Sequence, residues 1–167
     1  MSAMPAPALV DRRAVWAALA EVPDPEIPAV SVVDLGIVHR VDVGPDAIRV
    51  EILPTFVGCP AVEMMRSAIE ERLVGFARRI EVDVTFAVPW TSDRITPEGR
   101  RRLADSGFGP PLPANDPAAP INLGRALACP YCGSRRTVME NAFGPTLCRS
   151  IYYCTDCRQP FEQFKTV

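Results

Sequence analysis

"AIRVEILPTFVGCPAVEMMRSAIEERL", residues 47–73, changes its apolar period part-way along. Up to Leu53 it runs β-branched and alternating, with a strand's period of two. From Pro60 onward the apolar positions Val62, Met65, Ile69, Leu73 and, just beyond the quoted stretch, Phe76 recur on one helical stripe, with Glu63, Arg66, Glu70 and Glu71 largely elsewhere. Proline suits the first helical position because its missing N–H would be unpaired there anyway. A strand therefore runs into a helix, and Cys59, preceded by Gly58, stands at the junction.

Working outward, "IVHRVDV" and "AIRVEIL" flank the turn sequence "GPD", so 37–43 and 47–53 read as a hairpin whose second strand leads to Cys59. Upstream, "VDRRAVWAALAEV" places Val10, Ala14, Ala17, Leu19, Trp16 and Val22 at roughly helical spacing, with Asp11 near the start and Pro23 past the end. A first helix is expected at 10–21. "PDPEIP" carries three prolines in six residues and must be mostly extended or turned. Downstream, "IEVDVTFAV", 80–88, alternates Ile80, Val82, Val84 and Phe86 with Glu81, Asp83 and Thr85, as a half-buried strand does.

The order helix, hairpin, helix, strand describes a small α+β layer fold, assigned to residues 1–95. Thr96 and Pro97 then start a short basic helix that Gly107 stops, and the proline-rich 108–124 reads as a linker. Residues 96–125 thus connect the first unit to a second one at 126–167.

At 48% hydrophobic and 23% charged, the chain has the composition of a folded protein and not a disordered one. Its net charge of −2 offers no global attraction to a polyanion, so neither a nucleic-acid nor an anionic-membrane role is expected. No stretch approaches the about 20 continuous apolar residues that span a bilayer. The first residues lack the basic start and long apolar run of a signal peptide, which makes a cytoplasmic location the default. Thiols stay reduced there, so closely spaced cysteines read as metal ligands or reactive groups and not as disulfides.

Five of the six cysteines fall in the C-terminal unit. Cys129 and Cys132, in "CPYCGS", and Cys154 and Cys157, in "CTDCRQPF", form two C-x-x-C pairs with a hairpin-sized insert between them. Four thiolates in that pattern are the ligand set of a tetrahedral structural zinc, and Gly133 suits the tight backbone after a second ligand. A redox-active dithiol or an iron-sulfur centre is the other reading of such pairs. Cys148 is a fifth thiol in this unit, either a small buried hydrophobe near the ribbon hairpin or a spare, exchangeable metal ligand. Arg135, Arg136, Arg149, Arg158 and Lys165 make the unit locally basic, but Glu140, Asp156 and Glu162 dilute the charge, as on a solvated face.

Cys59 occupies or adjoins a helix N-cap, where unpaired N–H groups and the dipole favour an anion. A thiolate with a lowered pKa is the expectation from that position, against the plain alternative of a buried cysteine. Asp24 and Glu26 lie in a rigid loop with no apolar periodicity; taken singly, they are a turn former and a surface charge. His39, the single histidine, sits mid-strand, where a packing or edge role outweighs ligation. With no partnered base in view, a thiol enzyme built on Cys59 is disfavoured.

Several stretches together resemble a known family. "DPEIPAVSVVDLGIV" and "PTFVGCPAVE" resemble the two signatures of the iron-sulfur-assembly domain shared by the SufT-like factors. "PWTSDRITPEGRRRLADSGFGPP", followed by the ribbon and "LCRSIYYCTDCRQPFEQFK", resembles specifically the PaaD branch, the accessory proteins of phenylacetyl-CoA epoxidase. The resemblance spans about residues 10–165. Arg94 stands where an aromatic is expected, and Phe56-Val57 where Tyr-Ser is more usual, which touches the detail of the cleft and not the family.

The resemblance implies that Cys59 is the functional thiol, with Asp24, Glu26 and Thr55 beside it in one small cleft. It assigns Cys129, Cys132, Cys154 and Cys157 to zinc and puts Cys148 at a cysteine position of the PaaD-type ribbon. It implies a non-catalytic accessory role, maturing the metal centres of a multicomponent monooxygenase by handling iron or an iron-sulfur cluster transiently. The partners would be the epoxidase's di-iron oxygenase or its reductase, together with the iron-sulfur assembly machinery. A homodimer facing two Cys59 thiolates would suit intermediate cluster binding, since durable binding usually takes about four cysteines. The alternative role is a structural subunit of the oxygenase complex that handles no metal.

Overall fold

The computed structural model describes residues 10–109, 111–112 and 126–165; of the expected linker, residues 110 and 113–125 lie outside them. The first elements are α1 (Arg12–Leu19), β1 (Val38–Val43), β2 (Ala47–Ile52), α2 (Ala61–Leu73) and β3 (Arg79–Val84). Asp11 caps α1 by accepting from the Arg13 N–H at 2.9 Å. A 3-10 turn at Ser92–Arg94, α3 (Pro97–Asp105) and β4 (Phe108–Gly109) follow, then β5 (Thr137–Asn141), β6 (Arg149–Cys154) and β7 (Pro160–Phe164). The fold is α+β, with two sheets ordered β1-β2-β3 and β4-β7-β6-β5.

Alternation in β2 does what its pattern requires: Ile48, Val50 and Ile52 are wholly buried, while Arg49 points outward. β1 pairs with it antiparallel, Val41 opposite Val50, and β3 pairs on its other side in parallel, Val50 opposite Val82. A parallel neighbour needs a crossover, and α2 supplies it. The helix lays Ala61, Met65, Ile69 and Leu73, each four residues from the last, into the core. Burying each large apolar side chain of this kind contributes about 1.5–3 kcal/mol.

The third strand ends sooner than its alternation suggests, at Val84 and not Val88. Its partner gives out first. β2 stops at Ile52, the Thr85 N–H makes one last bond to the Ile52 carbonyl, and Pro54 has no N–H to continue the ladder. Phe86 and Val88 are left exposed.

Thr96 caps α3 by accepting from the Gly99 N–H at 2.9 Å, Pro97 occupies its first turn, and Gly107 follows it with φ 83°. Residues 108–109, where the linker was expected to begin, form β4 beside β7. The C-terminal residues carry their own small apolar cluster of Leu127, Tyr152 and Phe161 around Cys129 and Cys154. They also give Cys148 and Phe164 to the core of the first sheet. There the Trp90 ring lies 5.8 Å from that of Phe164, and its indole N–H donates to the Leu35 carbonyl at 2.9 Å. Among the described residues no helix is long and apolar enough to cross a membrane.

Candidate functional site

The two cysteine knuckles of the ribbon repeat one turn. In each, the N–H four residues after the first cysteine donates to that cysteine's carbonyl at 2.9 Å, from Gly133 to Cys129 and from Arg158 to Cys154. Both donors sit in the left-handed region, at φ 73° and 59°. The turns face each other, so the four sulfurs of Cys129, Cys132, Cys154 and Cys157 lie within 4.8 Å of one another, with two cross-knuckle contacts of 3.6 Å. Tetrahedral zinc at about 2.3 Å from each sulfur requires sulfurs roughly 3.8 Å apart, so the quartet fits that ion. Without a cation the thiols compete: the Cys157 backbone N–H draws Cys154 down, while burial and the neighbouring thiols push Cys157 up to about 12.

Cys148 is not part of this quartet. It faces the other way, into the cleft at Cys59.

That cleft begins where β2 ends. The chain turns through Pro54–Gly58, with Gly58 at φ 79°, and the Cys59 N–H donates to the Phe56 carbonyl at 3.2 Å. Pro60 is the N-cap of α2, so Cys59 adjoins the cap, and its carbonyl accepts from the Val62 N–H at 3.3 Å. Opposite runs the "DPEIP" loop. Asp24 is buried, its Oδ1 accepting from the N–H groups of Glu26 at 2.9 Å and Ile27 at 2.7 Å, a turn that aims the Glu26 side chain. Asp24, Glu26, Thr55, Cys59 and Cys148 line one narrow cavity. It shares Glu26, Thr55, Cys59 and Cys148 with a more open cleft of about 250 Å³, whose far wall is the ribbon segment 143–148.

Electrostatics here overturn the expectation of an acidic thiol. The Cys59 thiol is pushed above its ordinary 9.0, first by burial and then by the Glu26 and Asp24 carboxylates. The N–H groups of Ala61 and Val62 at the start of α2 do pull it down, as a helix end should, but they are outweighed. Burial also raises Cys148, whose sulfur lies 3.1 Å from the Thr146 hydroxyl and 3.7 Å from Glu26 Oε2. Asp24 is raised too, by burial, against the lowering effect of its two backbone donors. At neutral pH the cleft therefore holds thiols and not thiolates.

Arg149 ties the cleft to the ribbon and is not on a solvated face. It is buried, with its guanidinium donating to the Glu26 carbonyl at 2.6 Å and to Glu162 at 2.9 Å, over the Phe108 ring. No local sequence signal marks it, because its partner in the cleft, Glu26, lies 123 positions upstream. His39 lies half-buried on β1 with Nδ1 3.4 Å from an Arg94 nitrogen and is not among the residues lining the cleft. Arg94 itself donates from Nε to the Gly36 carbonyl at 2.9 Å.

Residues 12–85 match the iron-sulfur cluster assembly protein family, and residues 114–165 match the PaaD zinc beta ribbon domain. Over 155 residues the chain is 37% identical to an Escherichia coli K12 protein provisionally named as a subunit of 1,2-phenylacetyl-CoA epoxidase, covering 92% of each. The chain belongs to the PaaD family. Over the first domain it is also 37% identical to an Fe-S protein maturation auxiliary factor of Porphyromonas gingivalis W83, covering 48% of this chain and 78% of that one. The crystal structure of a Bacillus anthracis domain of unknown function matches 55% of this chain and 89% of its own, at 28% identity and a TM-score of 0.51. The PaaD family thus joins an iron-sulfur-assembly fold to a metal-binding ribbon, and in this member the ribbon forms one wall of the Cys59 cleft.

Proposed function

We propose that this protein is an accessory factor that delivers iron or an iron-sulfur cluster to a phenylacetyl-CoA epoxidase during its maturation, with no catalytic step of its own. Cys59 is the cargo thiol, and Asp24, Glu26 and Thr55 complete its cleft. Zinc held by Cys129, Cys132, Cys154 and Cys157 is architecture, supplying folding free energy that a ribbon with so small an apolar cluster lacks. The clients are the epoxidase's oxygenase or reductase component, and the supplier is the cell's iron-sulfur assembly machinery. The observation that carries the reading is the gathering of a thiol and two carboxylates around one cleft, in a domain of the iron-sulfur assembly family.

The chemistry suits transfer and not storage. A partly buried thiol kept protonated is inert until a cation arrives to replace its proton. In cells lacking the native copy, Cys59→Ser should fold, keep about one zinc per chain, and lower the iron content of the purified epoxidase components. Full iron loading of both components in such cells would overturn the reading.

Phe143 and Leu147, which line the cleft and are 70% and 55% exposed, favour a protein partner there under either role. A purely structural subunit would instead leave epoxidase activity and iron content unchanged by Cys59→Ser, while co-purifying at fixed stoichiometry.

A further inference from the structure

Cys148 has no function in the zinc quartet, whose four ligands already complete a tetrahedron. Its sulfur is buried yet lies on the wall of the cleft that Cys59 lines, reaching it from the ribbon, 89 positions further along the chain (148 less 59). We propose that the cargo site is composite: Cys59 from the first domain and Cys148 from the ribbon, with the Glu26 carboxylate, grip one edge of an iron-sulfur cluster. The inference rests on the reading of Cys59 as the cargo thiol and adds the second ligand and the class of cargo.

Charge is the first argument. When Cys59 and Cys148 give up their protons, two thiolates join the Glu26 and Asp24 carboxyl groups around one space. The Arg149 guanidinium beside them is engaged with Glu162 and the Glu26 carbonyl. Such a set is stable when a multivalent cationic centre fills the space. Sulfur donors select iron-sulfur clusters and soft ions over hard ones such as magnesium.

Size is the second. Among the described residues, neither Cys59 nor Cys148 belongs to a group of three or more such side chains placed to hold a single metal ion. The cleft of about 250 Å³ is correspondingly roomier than one naked ion needs. A cluster bound by its edge offers one iron to each thiolate and fits ligands set further apart than a single coordination sphere.

Ligand count is the third. Two thiolates are about half of what a resident cluster takes, so the opposite edge stays open for a client's cysteines. A single chain meets this count without a second copy of Cys59.

The exchange balances without redox chemistry. For each iron–sulfur bond formed to Cys59 or Cys148, one S–H bond breaks and one bond from iron to the donor's thiolate breaks. That thiolate leaves as a thiol carrying the proton, and no electron moves.

The test uses the full zinc-loaded chain without oxygen and a synthetic 2Fe–2S cluster ligated by glutathione as the probe. Iron and sulfide retained after gel filtration are counted, and alkylation of each cysteine is read by mass spectrometry. The wild type should retain one cluster, and bound cluster should shield both Cys59 and Cys148 from alkylation. Cys59→Ser and Cys148→Ser should each weaken retention by about tenfold or more, with zinc unchanged. Retention by Cys148→Ser equal to wild type, or shielding of Cys59 alone, would overturn the composite site and leave the role of Cys59 standing. No cluster uptake by the wild type would also overturn it, while iron loading of the epoxidase in cells judges the accessory function separately. The shielding measurement needs no substitution, so the test holds even where a variant fails to fold.

Discussion

Replacing Arg149 with alanine should loosen the ribbon from the Cys59 cleft. The guanidinium makes a charged hydrogen bond of 2.6 Å to the Glu26 carbonyl, a bond class that contributes about 1.5–3 kcal/mol. Its pair with Glu162, whose side chain keeps 31% of its surface in water, adds about 1 kcal/mol. The contact with the Phe108 ring, 5.3 Å from its centroid, adds about 0.5–1 kcal/mol. Against these stand the desolvation of a buried cation and an Nε without a partner, which offset about 1–2 kcal/mol.

The net loss for Arg149→Ala is about 1–4 kcal/mol. With a urea slope of about 2 kcal/mol per molar, the unfolding midpoint falls by about 0.5–2 M. Arg149→Met keeps much of the stem's packing and should lose about 1 kcal/mol less. The assay is urea unfolding of zinc-loaded protein followed by tryptophan fluorescence, which reports on Trp90 against Phe164. A second readout is the alkylation rate of Cys59, which should rise as the Glu26 loop loses its tether. An Arg149→Ala midpoint within about 0.5 kcal/mol of wild type, with Cys59 no more reactive, would refute the assignment of Arg149 as the tie.

Three further outcomes follow from particular groups. Asp24 holds its proton more tightly folded than unfolded, so its contribution to stability is complete below about pH 4 and is lost as pH rises through the raised folded value. Asp24→Asn, which keeps an acceptor for the Glu26 and Ile27 N–H groups, should therefore melt higher than wild type at pH 7 and no higher at pH 3; Asp24→Ala should lose about 1–2 kcal/mol at both. Iodoacetamide should modify Cys59 slowly at pH 7, with the rate climbing past pH 9, and Glu26→Gln should speed it at pH 7; a rate already level by pH 8 would contradict the raised thiol. Gly36 and Gly58 both have positive φ, but a Cβ on Gly36 would meet the Arg94 carbonyl at 2.3 Å while one on Gly58 meets nothing within 4 Å. Gly58→Ala should cost about 1 kcal/mol and Gly36→Ala about 2 kcal/mol more in chemical unfolding; equal losses would show that the Arg94 contact yields freely.

Much of the fold is legible because local pattern and burial agree. The alternation of β2, the stripe of Met65, Ile69 and Leu73, the Asp11 and Thr96 caps and the paired knuckles each depend on residues close together in the chain. The end of β3 is not legible from its own alternation, because a strand lasts only as long as its neighbour offers bonds, and β2 stops at Ile52. The Cys59 thiol misleads for a related reason. The helix end that should acidify it is visible in the sequence, but Glu26 and Asp24, which act the other way, come from 30 or more positions upstream.

By itself, then, the sequence determined an α+β domain, a four-cysteine ribbon and a lone thiol at a strand–helix junction, all set by short-range periodicity and spacing. The tertiary structure decided that the ribbon packs back through Phe164 and Arg149, that Cys148 lines the Cys59 cleft and stands apart from the metal knuckles, and that burial raises both thiols. Burial and charge act through space, over distances of a few ångströms, and the chain records only order along its length.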